Sequence, residues 1–210
     1  MAKSKGKYFR SSYHMWLVIL YAAWWAVMAY KPVYFSDWLI ENILVAGSVI
    51  LFWWAYPKVR FSNLSFTLIA IFLALHTLGS HYTYAEVPLG DWISEALDLE
   101  RNHYDRIIHF TYGLFLFWPL RETSVMFLGQ EGKRNGFISL LFIAGSSAVY
   151  ETMEWITAEV VSPEAAMAFL GVQGDVFDAQ KDHTLALIGG LISYFIAVWL
   201  AKRNKLPKPS

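Results

Sequence analysis

Three spacings of ionisable residues stand out in a chain that is otherwise strongly apolar. Asp105 and His109 are four residues apart, Glu151 and Glu154 are three apart, and Asp175, Asp178 and Asp182 follow i, i+3 and i+7. On helices each of these spacings puts the side chains on one face. Six carboxylates brought together with one imidazole cannot all stay ionised and unpartnered; some must protonate, pair with cations or hold a metal. Oxygen-rich sets with one or two imidazoles suit Mg²⁺, Mn²⁺, Ca²⁺ or Zn²⁺. The chain has no cysteine, which removes thiolate ligands, disulfides and thiol catalysis from consideration. The candidate metal ligands are therefore Asp105, His109, Glu151, Glu154, Asp175, Asp178 and Asp182. Beside them, Arg106 is a natural anion contact, and Glu151 or His109 a general base. Together these groups would polarise a phosphoryl or acyl oxygen and activate water.

Each group has a plainer reading as well. Glu151 and Glu154 would form a structural salt-bridge network with Arg106 and Lys181. Asp175 and Asp178 would cap and charge the first turn of a helix. His76 is deep enough to be a neutral, hydrogen-bonded interior residue. Glu41 and His14 lie off the cluster, as a lone polar group and an interface residue respectively, and Gly189–Gly190 reads as a close helix-packing point.

Positioning these residues falls to long apolar segments. The 210 residues are 56% hydrophobic, 18% aromatic and only 16% charged, whereas a soluble domain has about a quarter of its residues charged. Crossing the hydrocarbon takes roughly 17–25 helical residues. Six windows qualify, at about 13–30, 38–56, 64–80, 106–120, 137–158 and 183–201, the fourth being the shortest. Aromatic residues gather at their ends, as in interfacial belts. The expectation is an all-α polytopic membrane bundle of about six transmembrane helices, with residues 1–201 as one helical domain and 202–210 as a basic cytoplasmic tail. The basic start resembles a signal peptide, but no small-residue cleavage site follows, so it reads as a retained first span. Thirteen Lys and Arg fall on the side of the termini and four on the other, which places both termini in the cytoplasm and the acidic–histidine cluster at the outer face. There the loop 82–105 reads as an extended start followed by an amphipathic turn at the interface, and the loop 159–182 as a short helical patch, PEAAMAFLG, before a glycine turn. A net charge of zero gives nucleic acid no attraction, so membrane lipid is the expected partner.

The runs HYTYAEVP (81–88), NHYDRIIHF (102–110), YETMEW (150–155) and GVQGDVFDAQKD (171–182) resemble, in order and spacing, the YjdF family of bacterial inner-membrane proteins. The resemblance covers about residues 70–195 and implies an inner-membrane location and this topology, with no assigned activity. More distantly, Asp-x-x-x-His-Phe followed by Glu-x-x-Glu and a late Asp-rich helix start resembles the VanZ-like proteins, some of which are linked to glycopeptide resistance. There the second Glu is more usually Gln, so the match at Glu154 is looser.

Three functions compete. One is a metal-assisted hydrolase or transferase acting on an envelope lipid or lipid-linked, phosphate-bearing substrate at the outer leaflet. Another is a binding or transport protein whose acidic vestibule takes a cation, a cationic drug or a lipid head group. The third is a non-catalytic subunit held by a salt-bridge network. Transport would need polar groups through the inner half of the spans, where helices four and six read LFLFWPL and LISYFIAVWL. The Asp-Gly-x-x-Ala-Arg signature of the CDP-alcohol phosphotransferases is absent, as is any Ser–His–Asp order.

Overall fold

The computed structural model describes residues 11–161, 166 and 169–206. Seven helices of eight residues or more are named here, and the described residues contain no strand. They are α1 (Ser12–Met28), α2 (Phe35–Ala55), α3 (Asn63–Tyr82), α4 (Pro88–Leu97), α5 (Tyr104–Leu128), α6 (Gly132–Val160) and α7 (Asp178–Lys202). Local chemistry sets several of the ends. The Ser11 and Ser62 hydroxyls accept from Tyr13 N and Ser65 N to start α1 and α3, satisfying backbone donors that a first helical turn leaves free. Pro88 begins α4, where its missing N–H costs nothing, and Gly129 ends α5 in the left-handed region at φ 61°.

Four helices, α2, α3, α6 and α7, are long and apolar enough to cross a membrane. The other two long elements fall short of that measure for separate reasons. Helix α1 has 17 residues, about 26 Å of helix against roughly 30 Å of hydrocarbon. Helix α5 carries Asp105 and Arg106 at one end and Arg121 and Glu122 at the other. The expected fourth span was the shortest window, 106–120; the helix is instead 25 residues long. Its second end is tied down where the Glu122 carboxylate accepts the Ser62 backbone N–H at 3.0 Å. Likewise α6 begins at Gly132 rather than near 137, so the α5–α6 connection is a three-residue hairpin, 129–131. The basic residues expected at 1–10 and most of the PEAAMAFLG patch lie outside the described residues, as do 207–210 of the tail.

Helices α5 and α7 form the centre, flanked by α3 and α6, with α1 and α2 packed on α3. Phe117, Trp118, Ile143, Ala186 and Ala197 make the core of the α5–α6–α7 side. Tyr84, Val87, Tyr104 and Ile108 make a second core where the α3–α4 turn meets α5. Large apolar side chains such as Trp16, Leu20, Ile50, Leu51 and Phe195 face outward, as they do when the solvent is lipid.

Cross-links between elements define the two ends of the bundle. Val33 N donates to His81 O and His81 Nδ1 lies 2.7 Å from Met28 O, so the ends of α1 and α3 meet beside the start of α2. Lys58, Trp54 and Phe127 stack together at the opposite end. The short helix α4, expected as an amphipathic turn, follows the α3 end through residues 84–86 and leaves Trp92 and Leu97 exposed.

Candidate functional site

The site is built from the α5–α7 crossing. A Cβ on Gly113 would sit 1.8 Å from Ala186 O, and one on Gly189 only 2.2 Å from Phe110 O. Backbones therefore touch there, as the Gly189–Gly190 pair suggests. One turn before Gly113 and Ala186 stand His109 on α5 and Asp182 on α7, so the contact that brings the helices together also brings these side chains together. One ligand atom each from Asp105, His109 and Asp182 all lie within 4.8 Å of one another.

Helix α6 supplies the next group. His109 Nδ1 is 3.5 Å from Glu151 Oε1, and His109 Nε2 is 3.5 Å from Asp105 Oδ1. The imidazole thus stands between two carboxylates from different helices. Glu154, one turn beyond Glu151, lines the same space with Asp105, Asp175, Asp178, Asp182 and Trp155; this cavity is about 530 Å³. Asp182 Oδ1 and Glu151 Oε1 are buried without a hydrogen-bond partner. A buried acceptor left bare costs about 1–3 kcal/mol, so Asp182 Oδ1, which enters no ion pair among the described residues either, is the oxygen a bound cation would relieve most, while Glu151 Oε1 keeps only its 3.5 Å contact with His109.

On the other side of Asp105 and His109 is a smaller cavity of about 210 Å³, lined also by His76, Tyr84 and Tyr150. Here the structure corrects the sequence reading of Glu41. It is not a lone group off the cluster: its Oε2 lies 3.8 Å from His76 Nε2 and accepts from Tyr150 OH at 3.4 Å, with the residue 2% exposed. Burial pushes the Tyr84 phenol well above its ordinary range. Its hydroxyl is hydrogen-bonded with His76 Nδ1, 2.5 Å away. His14, by contrast, sits at the far end, stacked on Phe66 and 2.9 Å from Tyr56 OH.

Asp175 and Asp178 turn to cations. Arg101 Nη1 donates to Asp178 Oδ1 at 2.6 Å and lies 3.7 Å from Asp175 Oδ2. Arg106 donates to Asp175 Oδ2 and lies 3.5 Å from Asp178 Oδ1. Lys181 donates to Asp175 Oδ2 at 2.5 Å. The Lys181 hydrogen bond, more than any other cause, holds the Asp175 carboxyl down to about 2. Three cations thus share two carboxylates at the mouth of the larger cavity. The expected partnership of Glu151 and Glu154 with Arg106 and Lys181 is not among the ion pairs; those cations pair with Asp175 and Asp178.

The loops that present this clasp are locked by amides. Asn102 N donates to Gln173 Oε1 at 2.9 Å, and Gln173 Nε2 donates back to Asn102 O at 3.0 Å. The Asn102 amide also donates to Val87 O and Asp91 Oδ1, fastening α4. Gln173 adopts φ 48° and Gly174 φ 84° to make the turn. Arg101, Asn102, Gln173 and Glu41 were all missed as site residues. Asn102 and Gln173 fall inside two of the runs singled out in the sequence, which was the signal available for them.

An all-helical membrane bundle with a buried cluster of acids and histidine at one end is the class of protein the fold and site define. The chain belongs to the family described as predicted membrane protein (DUF2238), whose model matches residues 13–203. It is similar to the inner membrane protein YjdF of Escherichia coli (strain K12), 36% identical over 155 residues, which is 73% of this chain and 74% of that protein. No solved structure matches. Family, relative and apolar helices make this a multi-pass protein of the inner membrane. The likeness to VanZ-like proteins rests on the motif pieces alone.

Proposed function

We propose that the protein holds a divalent cation between Asp105, His109 and Asp182, with Glu151 beside it, and uses it as a hydrolase or transferase on a lipid-linked, phosphate-bearing envelope substrate. The convergence of three ligand atoms within 4.8 Å, from residues 77 positions apart in the case of Asp105 and Asp182, carries this reading. Asp182 Oδ1, buried without a hydrogen-bond partner, supports it. A cation there would polarise a phosphoryl or acyl oxygen, and Glu151 is placed to take a proton from water. Arg106, on the same helix turn as Asp105, reaches the phosphate by exchanging one of its two carboxylates for it. Asp175 and Asp178 then serve as the clasp of the mouth, and Glu154 as the outer wall. The end bearing α4 faces the periplasm in this reading, and both termini face the cytoplasm.

A second reading has its own observation. An imidazole flanked at 3.5 Å by a carboxylate on each nitrogen is also the arrangement of a charged imidazolium in a structural network. Metal analysis of detergent-purified protein separates the two. The metal reading expects a bound divalent ion, a melting temperature lowered by EDTA and restored by Mg²⁺, Mn²⁺, Ca²⁺ or Zn²⁺, and a response blunted by Asp182→Asn or Glu151→Gln. Saturation at a hundredfold excess over Kd adds about 2.7 kcal/mol. Metal-free protein whose melting ignores EDTA leaves the imidazolium network and removes the hydrolase.

A further inference from the structure

At the end of the bundle opposite α4, helices α5, α6 and α7 part around a cavity of about 410 Å³. Among the described residues three cations line it, Arg121, Lys133 and Lys202, against one acid, Glu131, and Val125 and Val198 supply apolar wall. Two other cations at this end are already held by rings. Lys58 Nζ is 3.1 Å from the Trp54 ring centroid, and Arg203 Cζ is 4.2 Å from that of Trp199. Among the described residues Arg121, Lys133 and Lys202 enter no ion pair. Arg121 is only partly exposed, and a guanidinium at the edge of the hydrocarbon is costly without an anion.

We propose that this cavity binds an anionic phospholipid, with its phosphate among Arg121, Lys133 and Lys202 and the start of one acyl chain along Val125 and Val198. Charge and apolarity select the occupant together. A free phosphate uses the cations and leaves the apolar wall bare. Phosphatidylcholine fills the wall, but its trimethylammonium offsets the phosphate. A lipid with net negative charge satisfies both, and basic pockets between spanning helices recognise such headgroups. The site lies at the far end from Asp105 and His109 and does not depend on a metal there.

The test uses the full chain in detergent, with native mass spectrometry and thermal melting in the presence of phosphatidylglycerol, phosphatidylcholine or inorganic phosphate. Phosphatidylglycerol should stay bound and raise the melting temperature, phosphatidylcholine should do neither, and phosphate should not displace the lipid. Lys133→Gln/Lys202→Gln alters two exposed side chains and leaves the core untouched; affinity for phosphatidylglycerol should fall by about fivefold per cation removed. Arg203→Gln, whose guanidinium sits on Trp199, should bind as the unaltered protein does. Equal retention of both lipids, or full affinity in the double variant, overturns the proposal. Stabilisation by phosphate equal to that by lipid makes this a free-anion site and overturns the lipid assignment.

Discussion

Asp175 accepts from both Lys181 and Arg106, and the Lys181 bond foremost keeps its carboxyl at about 2 instead of 3.8. A carboxyl lowered by folding contributes stability above its unfolded value, and that contribution disappears as pH falls through the folded one. Thermal melting should therefore drop between pH 3.8 and about 2 by more in the unaltered protein than in Asp175→Asn. Parallel pH curves for the two would show that the clasp adds nothing in that window. Arg101 carries a larger share of the fold, because its partner Asp178 has a side chain only 5% exposed. Arg101→Gln leaves that carboxylate short of its main partner and should cost about 3 kcal/mol, read as a lower denaturation midpoint. A midpoint unchanged by the substitution would place Arg106 alone in charge of Asp178. The Arg101–Asp178 pairing was not legible in the sequence: the two are 77 positions apart, and no local pattern couples residues across that distance. The i, i+3 and i+4 spacings were legible, since they are properties of one helix. They put Asp105 with His109 correctly, yet gave no way to tell which of the seven candidate ligands converge with them and which are taken up by Arg101, Arg106 and Lys181.

Among the helices, the α5–α7 crossing decides whether the site exists. Gly189 meets the backbone of Phe110, which cannot move aside as a side chain would. Gly189→Leu should push α5 from α7 and destabilise the bundle by at least about 1–3 kcal/mol, weakening any EDTA response along with it. Gly145 lies in α6 with nothing within 4 Å of its would-be Cβ. There Gly→Ala should be neutral or stabilising by roughly 0.5–1 kcal/mol, the helix-interior cost of glycine. A Gly189→Leu protein that melts with the unaltered one would mean that the helices are not held at that contact. Hydropathy located these helices well where they are apolar throughout. It shortened α5 and α6 where charged residues continue the helix past the apolar run, as Arg121 and Glu122 do on α5. Hydropathy also left Glu41 isolated, because what gathers Glu41, His76 and Tyr150 is the packing of α2, α3 and α6, not their order in the chain.

For the whole molecule, the described cations are unevenly shared between the two ends. Lys58, Arg60, Arg121, Lys133, Arg134, Lys202, Arg203 and Lys205 lie at the end of the α5–α6 hairpin, whereas Lys31, Arg101, Arg106 and Lys181 lie at the α4 end. Cytoplasmic loops retain Lys and Arg near the ends of spans, so this asymmetry predicts the hairpin end inside and α4 outside. The α4 end also gathers Asp105, Glu151, Glu154, Asp175, Asp178 and Asp182, the acids a periplasmic divalent ion would meet first. Phosphatase and fluorescent-protein fusions after Glu95, after Gln130 and at the C-terminus measure the orientation directly. The fusion at Glu95 should be active as a periplasmic phosphatase and dark as a cytoplasmic fluorophore. The fusions at Gln130 and the C-terminus should show the reverse. A cytoplasmic Glu95 would invert the molecule, move the acidic cavity to the cytoplasm and turn the three-cation cavity toward the outer leaflet. In that case an envelope substrate reached from the periplasm would be ruled out, and the proposed cation site would face the cytoplasm.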